Sequence, residues 1–537
     1  MPATALHARI GEPQQEIYNY ATLERLDWPT KINFDNYHIN MFHLLSIVLG
    51  YAVSCVLVGV LVGLSRVLYN LYLHPLRKYP GPKLWAATRL TWTRSMQSGH
   101  FHHDLHKLHS QYGPVVRIAP DELSYTNASA WKDIYGNRTV VKNTIWAGQE
   151  EKNHPVSIVS TDEATHLRNR RALMGAFTEH AIAEHAPILE GIVEMMMDKF
   201  KKAVANDQGN AVVDVVDWLN FLAFDISGAL SFGESFHSVE NGRAHPWVEI
   251  SCNFGKGIVM IASVNFFKPL DKLMKFAIPA RMLEQMNYHK QLVHEKFLQR
   301  LAMEHKAKAQ DYVGSIMAYN EEKGEVKIPT SEIEQNMTLL IFAGSETTST
   351  AMSAILNQLV RSPDAMRKAT EEVRCTFGSE DDITVASVGK LEYLDAAIQE
   401  GIRLGPPASI GIPRVVPKSG EKIAGQWVPG NTLVAINQYA AYRSAANFSD
   451  PDRFVPERFM ANTPYPADDL SVFQPFLTGR HKCIGQKLAW AEMRLVLARL
   501  LFTFNIEARE ETRDFGEQET YMFWEKRPLN IELRISQ

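Results

Sequence analysis

Residues 476–485 read Phe476-Leu-Thr-Gly-Arg-His-Lys-Cys-Ile-Gly485, and a run with helical periodicity continues from Gln486 to Phe504. This order places Cys483 just before the start of a predicted helix. A thiolate in that position is stabilised by the free backbone N–H groups and by the helix dipole. The segment therefore predicts a cysteine sulfur that can serve as a metal ligand.

The neighbours of this cysteine suggest what kind of group it binds. Gly479 and Gly485 have no side chains, so their backbone can pass close to a flat cofactor. Phe476 can pack beside the cysteine and limit the access of water, which tunes the potential of a metal thiolate. His481 or Arg480 can contact an anionic group on the cofactor.

The remaining cysteines and the overall charge exclude several other classes of protein. Cys55, Cys252 and Cys375 are widely spaced and form no Cys-x-x-Cys pair, so neither a zinc site nor a disulfide framework is indicated. The pattern is typical of a reducing compartment. A net charge of −4 without a strongly charged block gives no reason to expect nucleic acid as a partner.

The cysteine segment resembles the haem-binding signature of cytochromes P-450. In that signature an aromatic residue precedes the cysteine by seven positions and a glycine precedes it by four, as Phe476 and Gly479 do here. Gly485 matches the glycine two positions after the cysteine. The resemblance implies that Cys483 is the axial thiolate ligand of the iron of haem b, and that these three neighbours line the haem.

Two positions depart from the family pattern, and two arginines outside the segment match it. Leu477 stands where the family usually has glycine or serine, and His481 stands where arginine is commonest. The resemblance implies that His481 contacts a haem propionate, together with Arg170 of His166-Leu-Arg-Asn-Arg170 and Arg414 of Pro413-Arg414. Buried propionates need cationic partners to stay ionised.

A further pair of segments is similar to the structural triad of the same family. In Glu400-Gly-Ile-Arg403 the acid and the guanidinium lie at i and i+3, on one face of a predicted helix. An arginine can bind its own carboxylate and still donate to another group. The resemblance implies that Arg458, in Pro456-Glu-Arg-Phe459, completes the triad with Glu400 and Arg403.

Ala343-Gly-Ser-Glu-Thr-Thr348 lies midway along a long predicted helix, residues 331–361. Gly344 costs roughly 1 kcal/mol relative to alanine in a helix interior, so a specific reason for it is expected. The resemblance implies that Gly344 lets the haem and dioxygen lie against the helix. It also implies that Glu346 and Thr347 are the catalytic acid–alcohol pair that manages protons there.

The N-terminal part contains one long apolar stretch, from Met41 to Leu64. At ~1.5 Å per residue it spans roughly 36 Å, enough to cross a hydrocarbon core of ~30 Å. The other interpretations are a buried core helix and a signal peptide, but a signal peptide begins nearer the terminus and is shorter. We predict four regions: a luminal segment (1–40), a transmembrane helix (41–64), a basic and proline-rich hinge (65–82) and a haem-thiolate catalytic domain (83–537). Basic residues follow the helix more densely than they precede it, which places the catalytic domain in the cytosol.

Periodicity predicts a mainly α domain with small β-sheets, which is the cytochrome P-450 fold preceded by a single transmembrane helix. The predicted helices are residues 165–178, 187–204, 218–230, 289–308, 331–361, 363–377 and 390–404, and the predicted strands are residues 115–118, 426–428 and 432–437.

Together these features predict a haem-dependent monooxygenase of the endoplasmic reticulum membrane. The resemblance implies that it oxidises a lipophilic small molecule with dioxygen, and that electrons come from a separate NADPH-cytochrome P-450 reductase. Too few residues follow the cysteine helix for a flavin or nicotinamide domain. Residues 74–82 and 230–236 look like fungal microsomal members, many of which modify terpenoids, polyketides or alkaloids.

Two other functions stay open at this point. A haem-thiolate isomerase or dehydratase would not use dioxygen, and such relatives often lose the acid–alcohol pair that Glu346 and Thr347 provide here. A non-enzymatic membrane haem sensor would need no proton delivery. Neither the substrate nor the carbon attacked follows from the sequence.

Overall fold

The computed structural model describes residues 34–147, 156–268, 272, 280–303, 311–323 and 327–536. Of the predicted luminal segment, residues 1–40, positions 1–33 lie outside the described residues. By its contacts the chain divides into residues 1–65 and a larger unit, residues 66–537.

The described part of the chain begins with an apolar helix, α1 (Phe34–Leu68), which continues as a π-helical turn over Tyr69–Leu73. Residues 41–73 are long and apolar enough to cross a membrane, and none of the most apolar window is buried in the protein. The helical conformation extends beyond the predicted end at Leu64 and stops at His74, immediately before Pro75. Proline cannot continue a helix, because it lacks an N–H and clashes with the preceding turn.

The larger unit is predominantly helical. Its described helices are α2 (Lys83–Ala87), α3 (Arg89–Gln97), α4 (Phe101–Tyr112), α5 (Ser129–Trp131), α6 (Thr144–Ala147), α7 (Glu163–Met174), α8 (Glu179–Asn206), α9 (Val215–Phe232), α10 (Ser238–Asn241), α11 (Pro246–Asn265), α12 (Ala280–Ala302), α13 (Tyr312–Lys323), α14 (Thr330–Val360), α15 (Pro363–Thr376), α16 (Glu392–Leu404), α17 (Gln438–Tyr442) and α18 (Gln486–Thr503).

The described strands form four small sheets. They are β1 (Val115–Ala119), β2 (Glu122–Tyr125), β3 (Val141–Lys142), β4 (Ala211–Asp214), β5 (Arg414–Val415), β6 (Glu421–Ile423), β7 (Gln426–Val428), β8 (Leu433–Ile436), β9 (Phe504–Ala508), β10 (Thr520–Tyr521), β11 (Phe523–Trp524) and β12 (Asn530–Ile535). The largest sheet has the order β1-β2-β8-β5-β3, with β2 and β8 parallel and its other pairs antiparallel. The predicted fold class is confirmed.

Helix α14 lies at the centre of the main hydrophobic core, against α9 and α16. Two glycines allow these helices to approach closely. A Cβ at Gly344 would meet the Ser227 Oγ of α9 at 2.8 Å, and a Cβ at Gly401 would meet the Ile355 Cα of α14 at 2.9 Å. The backbone of the central helix is therefore fixed between its neighbours, and its polar side chains project from a rigid support.

The predicted starts of two helices are wrong. The helix predicted to begin at residue 289 is α12, which begins at Ala280, and the other is α8. Pro187 marked the expected beginning, but α8 starts at Glu179 and carries Pro187 in its interior. The side chain of Thr178 accepts a hydrogen bond from the Ala181 N–H at 3.1 Å and so caps the true N-terminus. Buried apolar residues on both sides of the proline hold the helix together despite the missing backbone bond.

Candidate active site

A cavity of about 270 Å³, which we call the central cavity, separates the cysteine loop from the middle of α14. The loop contributes Phe476, Cys483 and Gly485 to one wall, and α14 contributes Gly344 and Thr347 to another. Most of the lining is apolar. The structure thus brings the cysteine segment and the acid–alcohol segment to the same space.

Local hydrogen bonding shapes the loop so that the sulfur faces this cavity. The Cys483 N–H donates to the Phe476 carbonyl at 2.9 Å and closes the loop. Gly479 has φ +72°, and a Cβ there would collide with the carbonyl of Tyr135. Leu477 also has a positive φ, +59°, where glycine would relieve backbone strain. Gly485 is not strained, and a Cβ there would meet only ordinary contacts.

Cys483 is open to the cavity but lies deep in the protein. Burial raises the pKa of the Cys483 thiol, while the Gly485 N–H and the charges of Arg170 and Lys482 oppose that rise. Helix α18 begins at Gln486, as predicted, so its N-terminus lies close to the sulfur. These groups favour the thiolate once a metal is bound.

A cluster of basic side chains lies at one edge of the central cavity. Arg414 on β5 is 4% exposed, its guanidinium lies 5.4 Å from the ring centroid of Tyr135, and none of the described carboxylates pairs with it. His481 lines the cavity, and burial together with Arg414 lowers its pKa to about 2. Its Nε2 lies 3.3 Å from a Glu163 oxygen, while its buried Nδ1 has no hydrogen-bond partner among the residues that the structure describes. This edge suits an anionic group.

Arg170 occupies a different place from the other two propionate candidates. Its Nη1 donates to the backbone carbonyl of Lys482 at 2.8 Å, and it does not line the cavity. It therefore supports the cysteine loop from outside. Arg480, which belongs to the cysteine loop, pairs with Glu163 at 2.8 Å.

Glu346 and Thr347 project in different directions from α14. Thr347 lines the central cavity, and its hydroxyl donates to the Ala343 carbonyl at 2.7 Å. Glu346 is 5% exposed, and its Oε1 lies 3.1 Å from the Nζ of Lys526. Burial raises the pKa of Glu346, whereas Lys526 lowers it. No sequence motif marks Lys526, because the pairing joins α14 to a segment far away along the chain.

The structure brings Glu400, Arg403 and Arg458 together in a fully buried cluster. Arg403 donates to the two Glu400 oxygens at 2.6 and 2.8 Å, and Arg458 Nε lies 3.3 Å from Glu400 Oε1. Arg458 also pairs with Asp468, which belongs to no recognised motif in the sequence. The two carboxylates thus balance the two guanidinium groups.

Residues from several segments complete the lining of the central cavity. Segments 221–236 and 408–412 contribute Ile226, Ser227, Leu230, Ala408, Ile410 and Ile412, and Met522 also contributes. Phe177, Tyr312 and Glu492 line it as well, and nothing in the sequence marked them.

The residues present fit a haem. A deeply placed cysteine faces the cavity, and the glycine-bearing loop lies beside it. The buried Arg414 and the Nδ1 of His481, which has no partner in the described part of the chain, lie at an edge where anionic propionates would satisfy them. The fold and the site therefore define the class of haem-thiolate proteins.

Comparison with known proteins gives the family. The model described as Cytochrome P450 matches residues 79–532. Cytochrome P450 monooxygenase atr2 of Stereocaulon alpinum is 38% identical, over 88% of this chain and 92% of its own. Averantin hydroxylase of Dothistroma septosporum is 37% identical, over 91% and 93%. Cytochrome P450 monooxygenase aclL of Aspergillus oryzae is 38% identical, over 88% and 95%.

The chain belongs to the cytochrome P450 family, and it is a monooxygenase. The family implies a haem iron with a thiolate ligand, a redox partner and a lipophilic substrate. The apolar N-terminal helix is compatible with membrane anchoring.

Proposed function

We propose that this monooxygenase hydroxylates or otherwise oxidises a lipophilic metabolite, with electrons from a separate NADPH-cytochrome P-450 reductase. The observation that carries the proposal is the central cavity, where Cys483 lies on one wall and Thr347 on another, with mostly apolar side chains between them. The similarity to fungal monooxygenases supports a role in secondary metabolism, with a terpenoid, polyketide or alkaloid as substrate.

Each site residue has a stated task in this proposal. Cys483 ligates the iron, and its thiolate donates electron density to it. Arg414 and His481 bind the propionates, and Arg170 holds the backbone of the cysteine loop. Phe476 shields the sulfur from water, and Gly479 and Gly485 keep the loop close to the haem.

The chemistry at the other wall is the control of protons and water. Haem, when bound, supplies the activation of dioxygen. The apolar lining excludes bulk water and orients the substrate carbon. The hydroxyl of Thr347 can accept a hydrogen bond in the cavity while it donates to Ala343. Glu346 relays protons towards Thr347 through water, and Gly344 leaves room beside them.

We further propose that the enzyme resides in the endoplasmic reticulum membrane, anchored by one helix, with its catalytic domain in the cytosol. Arg66, Arg77, Lys78 and Lys83 follow the apolar stretch, and only Lys31 is close before it. Cytosolic flanks of membrane helices carry the excess of positive charge.

Expression of the full chain with a reductase, fed with candidate metabolites and followed by mass spectrometry, tests the function. We expect substrate-dependent NADPH consumption that is coupled to insertion of one oxygen atom. Product formed without NADPH would indicate an isomerase or dehydratase instead. Bound haem with no product from any substrate class would favour a sensor.

The thiolate ligand has its own test. Cys483→Ser should abolish the thiolate-type spectral shift of the reduced carbon monoxide complex. Cys375→Ser, which changes an exposed free cysteine, is the matched control and should retain it. A normal shift in the Cys483 variant would exclude this cysteine as the ligand.

A further inference from the structure

A row of three side chains leads from behind the wall of the central cavity to the surface of the protein. They are Trp524 on β11, Tyr439 on α17 and His103 on α4. The Trp524 and Tyr439 rings have their centroids 6.0 Å apart, and the Tyr439 hydroxyl lies 3.4 Å from His103 Nδ1. We call these residues the Trp–Tyr–His row. Its members are far apart in the sequence, so no local motif marks them.

The inner end of the row contacts residues that line the central cavity. The Trp524 Nε1–H donates to the Pro406 carbonyl at 2.8 Å, and Pro406 lines the cavity. Met522 also lines it, two residues before Trp524. Between them, the ring of Phe523 packs edge-on against Phe342 of α14, with 5.0 Å between the centroids. Trp524 therefore lies directly behind the cavity wall.

The outer end of the row is close to solvent. Tyr439 is 7% exposed, whereas His103 is half-buried. A second cavity of about 60 Å³ has Tyr439 and Trp524 in its lining, and the exposed Gly516 shows that it extends to the surface. A small water-soluble molecule can therefore reach the outer end of the row without entering the central cavity.

The partner of the Tyr439 hydroxyl decides what this tyrosine can do. A phenol that loses an electron becomes a strong acid, so its proton leaves at the same time if a base lies within hydrogen-bond reach. His103 is such a base, because burial lowers its pKa and leaves the imidazole neutral at neutral pH. The charge of Glu517 opposes this lowering of the pKa, and it stabilises the imidazolium once the proton has arrived.

The surroundings of Tyr439 favour loss of the proton together with the electron. The Arg443 guanidinium lies 4.7 Å from the ring centroid, so it would repel a positive charge left on the ring. His102 packs edge-on against the same ring at 4.8 Å and is neutral, since burial lowers its pKa to about 2. In the described part of the chain, the other titratable groups that act on the Tyr439–His103 pair are His100, His106, Asp452 and Glu517.

We propose that the Trp–Tyr–His row is a redox exit, which carries oxidising equivalents from the haem site to the protein surface when no substrate carbon takes them. This inference rests on the proposed binding of haem at Cys483. The row would spare the side chains of the central cavity from oxidation during turnover without substrate. A cluster that served packing alone would need the rings, but neither the hydroxyl nor the imidazole beside it.

Each transfer moves one electron inwards and leaves the row unchanged at its end. Trp524 gives one electron to the haem site and takes one from Tyr439, whose proton passes to His103 Nδ1. The neutral tyrosyl radical then takes an electron from a thiol in solution and recovers its proton from the imidazolium. Two such transfers, with two protons from solvent, convert the unused oxygen atom into water. Two thiols release two protons to solvent and become one disulfide, so atoms and electrons balance.

The first experiment looks for the radical. Full-length, haem-loaded enzyme would be mixed with peracetic acid, which supplies the oxygen atom without a reductase, and freeze-quenched for electron paramagnetic resonance. We expect a tyrosyl signal in wild type and its loss in Tyr439→Phe. Tyr393→Phe is the matched control and should keep the signal. Tyr393 is also buried, at 8% exposed, but its hydroxyl contacts Glu457 at 3.3 Å instead of a histidine.

Variants of the other two members test the order of the row. Trp524→Phe should lower the yield of the tyrosyl signal, because phenylalanine is much harder to oxidise than tryptophan. His103→Gln keeps a hydrogen-bonding group but removes the base, so it should lower the yield as well. His100→Gln, which changes an exposed histidine at the start of α4, is the control and should match wild type. Equal yields in all four proteins would show that the radical does not form through this row.

The second experiment measures survival during turnover without substrate. Enzyme would be incubated with NADPH and reductase, and inactivation followed as loss of the thiolate-type spectrum of the reduced carbon monoxide complex. Tyr439→Phe should be inactivated sooner than wild type and Tyr393→Phe. Added glutathione should slow the inactivation of these two proteins but not that of Tyr439→Phe, which has lost the exit. Equal protection of all three by glutathione would contradict the proposal.

The results separate the redox exit from the function it rests on. A wild type without the thiolate-type spectrum would overturn the proposed haem site and the redox exit with it. A normal spectrum with no tyrosyl signal, or with a signal that Tyr439→Phe retains, would overturn the redox exit alone. Loss of the signal only in the variants of the row supports the proposal.

Discussion

Glu492, on α18, is a buried acid that the proposed chemistry does not use. It lines the central cavity, is 4% exposed, and burial raises its pKa from 4.5 to about 8. At a pH between these two values, the Glu492 carboxyl is ionised in the unfolded chain but keeps its proton in the folded protein. The contribution of Glu492 to stability is therefore complete below pH 4.5 and falls as the pH rises towards 8.

Glu492→Gln should remove this pH dependence, because glutamine stays neutral. We expect the variant to be more stable than wild type by about 4 kcal/mol at pH 8, and by far less at pH 5. Urea unfolding of the haem-loaded protein at the two pH values measures the difference. Glu194→Gln, at an exposed position of α8, is the control. If the difference in unfolding free energy between Glu492→Gln and wild type is the same at both pH values, the carboxyl is not held neutral.

Thr347 gives a second prediction at the residue scale. Its hydroxyl lines the central cavity and already donates to Ala343, so its role there is to accept. Thr347→Ala should retain the thiolate-type spectrum and substrate binding, but divert most reducing equivalents to peroxide. Assays of NADPH, product and peroxide measure this, with Ser345→Ala as the control. Full coupling in Thr347→Ala would show that the relay does not pass this hydroxyl.

The residues that the sequence predicted are those within compact motifs. Phe476, Gly479 and Cys483 lie within one loop, so their spacing fixes their geometry. Lys526 could not be predicted, because its partner Glu346 lies in a helix far away along the chain. A lone lysine near a C-terminus has no spacing that distinguishes it from a solvated surface residue.

At the scale of elements, the buried cluster on α16 balances two acids against two guanidinium groups. Asp468 pairs with Arg458, and Glu400 binds both arginines. Asp468→Asn would leave a net positive charge at fully buried positions. We expect a loss of about 3 kcal/mol in unfolding free energy.

A double-mutant cycle tests this balance. Arg458→Met alone should be similarly costly, and the double variant Asp468→Asn/Arg458→Met should cost less than the sum of the two by at least about 1 kcal/mol. Asp469→Asn is the adjacent control. Its carboxylate caps a short turn through the Ser471 N–H at 3.0 Å. Additive losses would mean that Asp468 does not neutralise the cluster.

Helix positions were predicted well where apolar periodicity and a boundary residue coincide. The predicted 363–377 and 390–404 agree closely with α15 and α16. Residues 179–186 of α8 were not predicted as helical, because a proline such as Pro187 usually stands at a helix start, and the cap at Thr178 is a weaker signal. Proline is tolerated inside a helix when tertiary contacts offset the lost hydrogen bond, and those contacts are not visible in local sequence.

At the scale of the whole molecule, composition alone does not identify the membrane anchor. Three described helical segments are apolar enough to span a bilayer, but the most apolar windows of Val215–Phe232 and Thr330–Val360 are 89% and 72% buried. The segment 41–73 is unburied. Apolar surface that no protein covers needs lipid, whereas α9 and α14 already bury theirs in the core. Helix α14 also carries Gly344 and several buried polar residues, which belong to the candidate active site.

The surface beside the cysteine loop carries exposed lysines to which a redox partner could bind. Lys482 is exposed, and Lys487 is exposed and paired with the exposed Glu179 at 2.6 Å, a pairing worth little in water. Arg480, in contrast, is engaged by Glu163. An electron donor with an acidic face would approach Cys483 most closely through these two lysines. A solvated surface without a partner is the other interpretation.

The double variant Lys482→Glu/Lys487→Glu should distinguish a docking face from a solvated surface. If an acidic reductase docks here, the first reduction step should slow by roughly tenfold at low salt, and the difference should shrink as salt screens the charges. Reduction by dithionite should be unchanged, since it needs no docking. Lys202→Glu is the control, because Lys202 lies near the far end of α8, roughly 35 Å along the helix from Glu179. Equal slowing in that variant, or slowing that salt does not relieve, would place the docking face elsewhere.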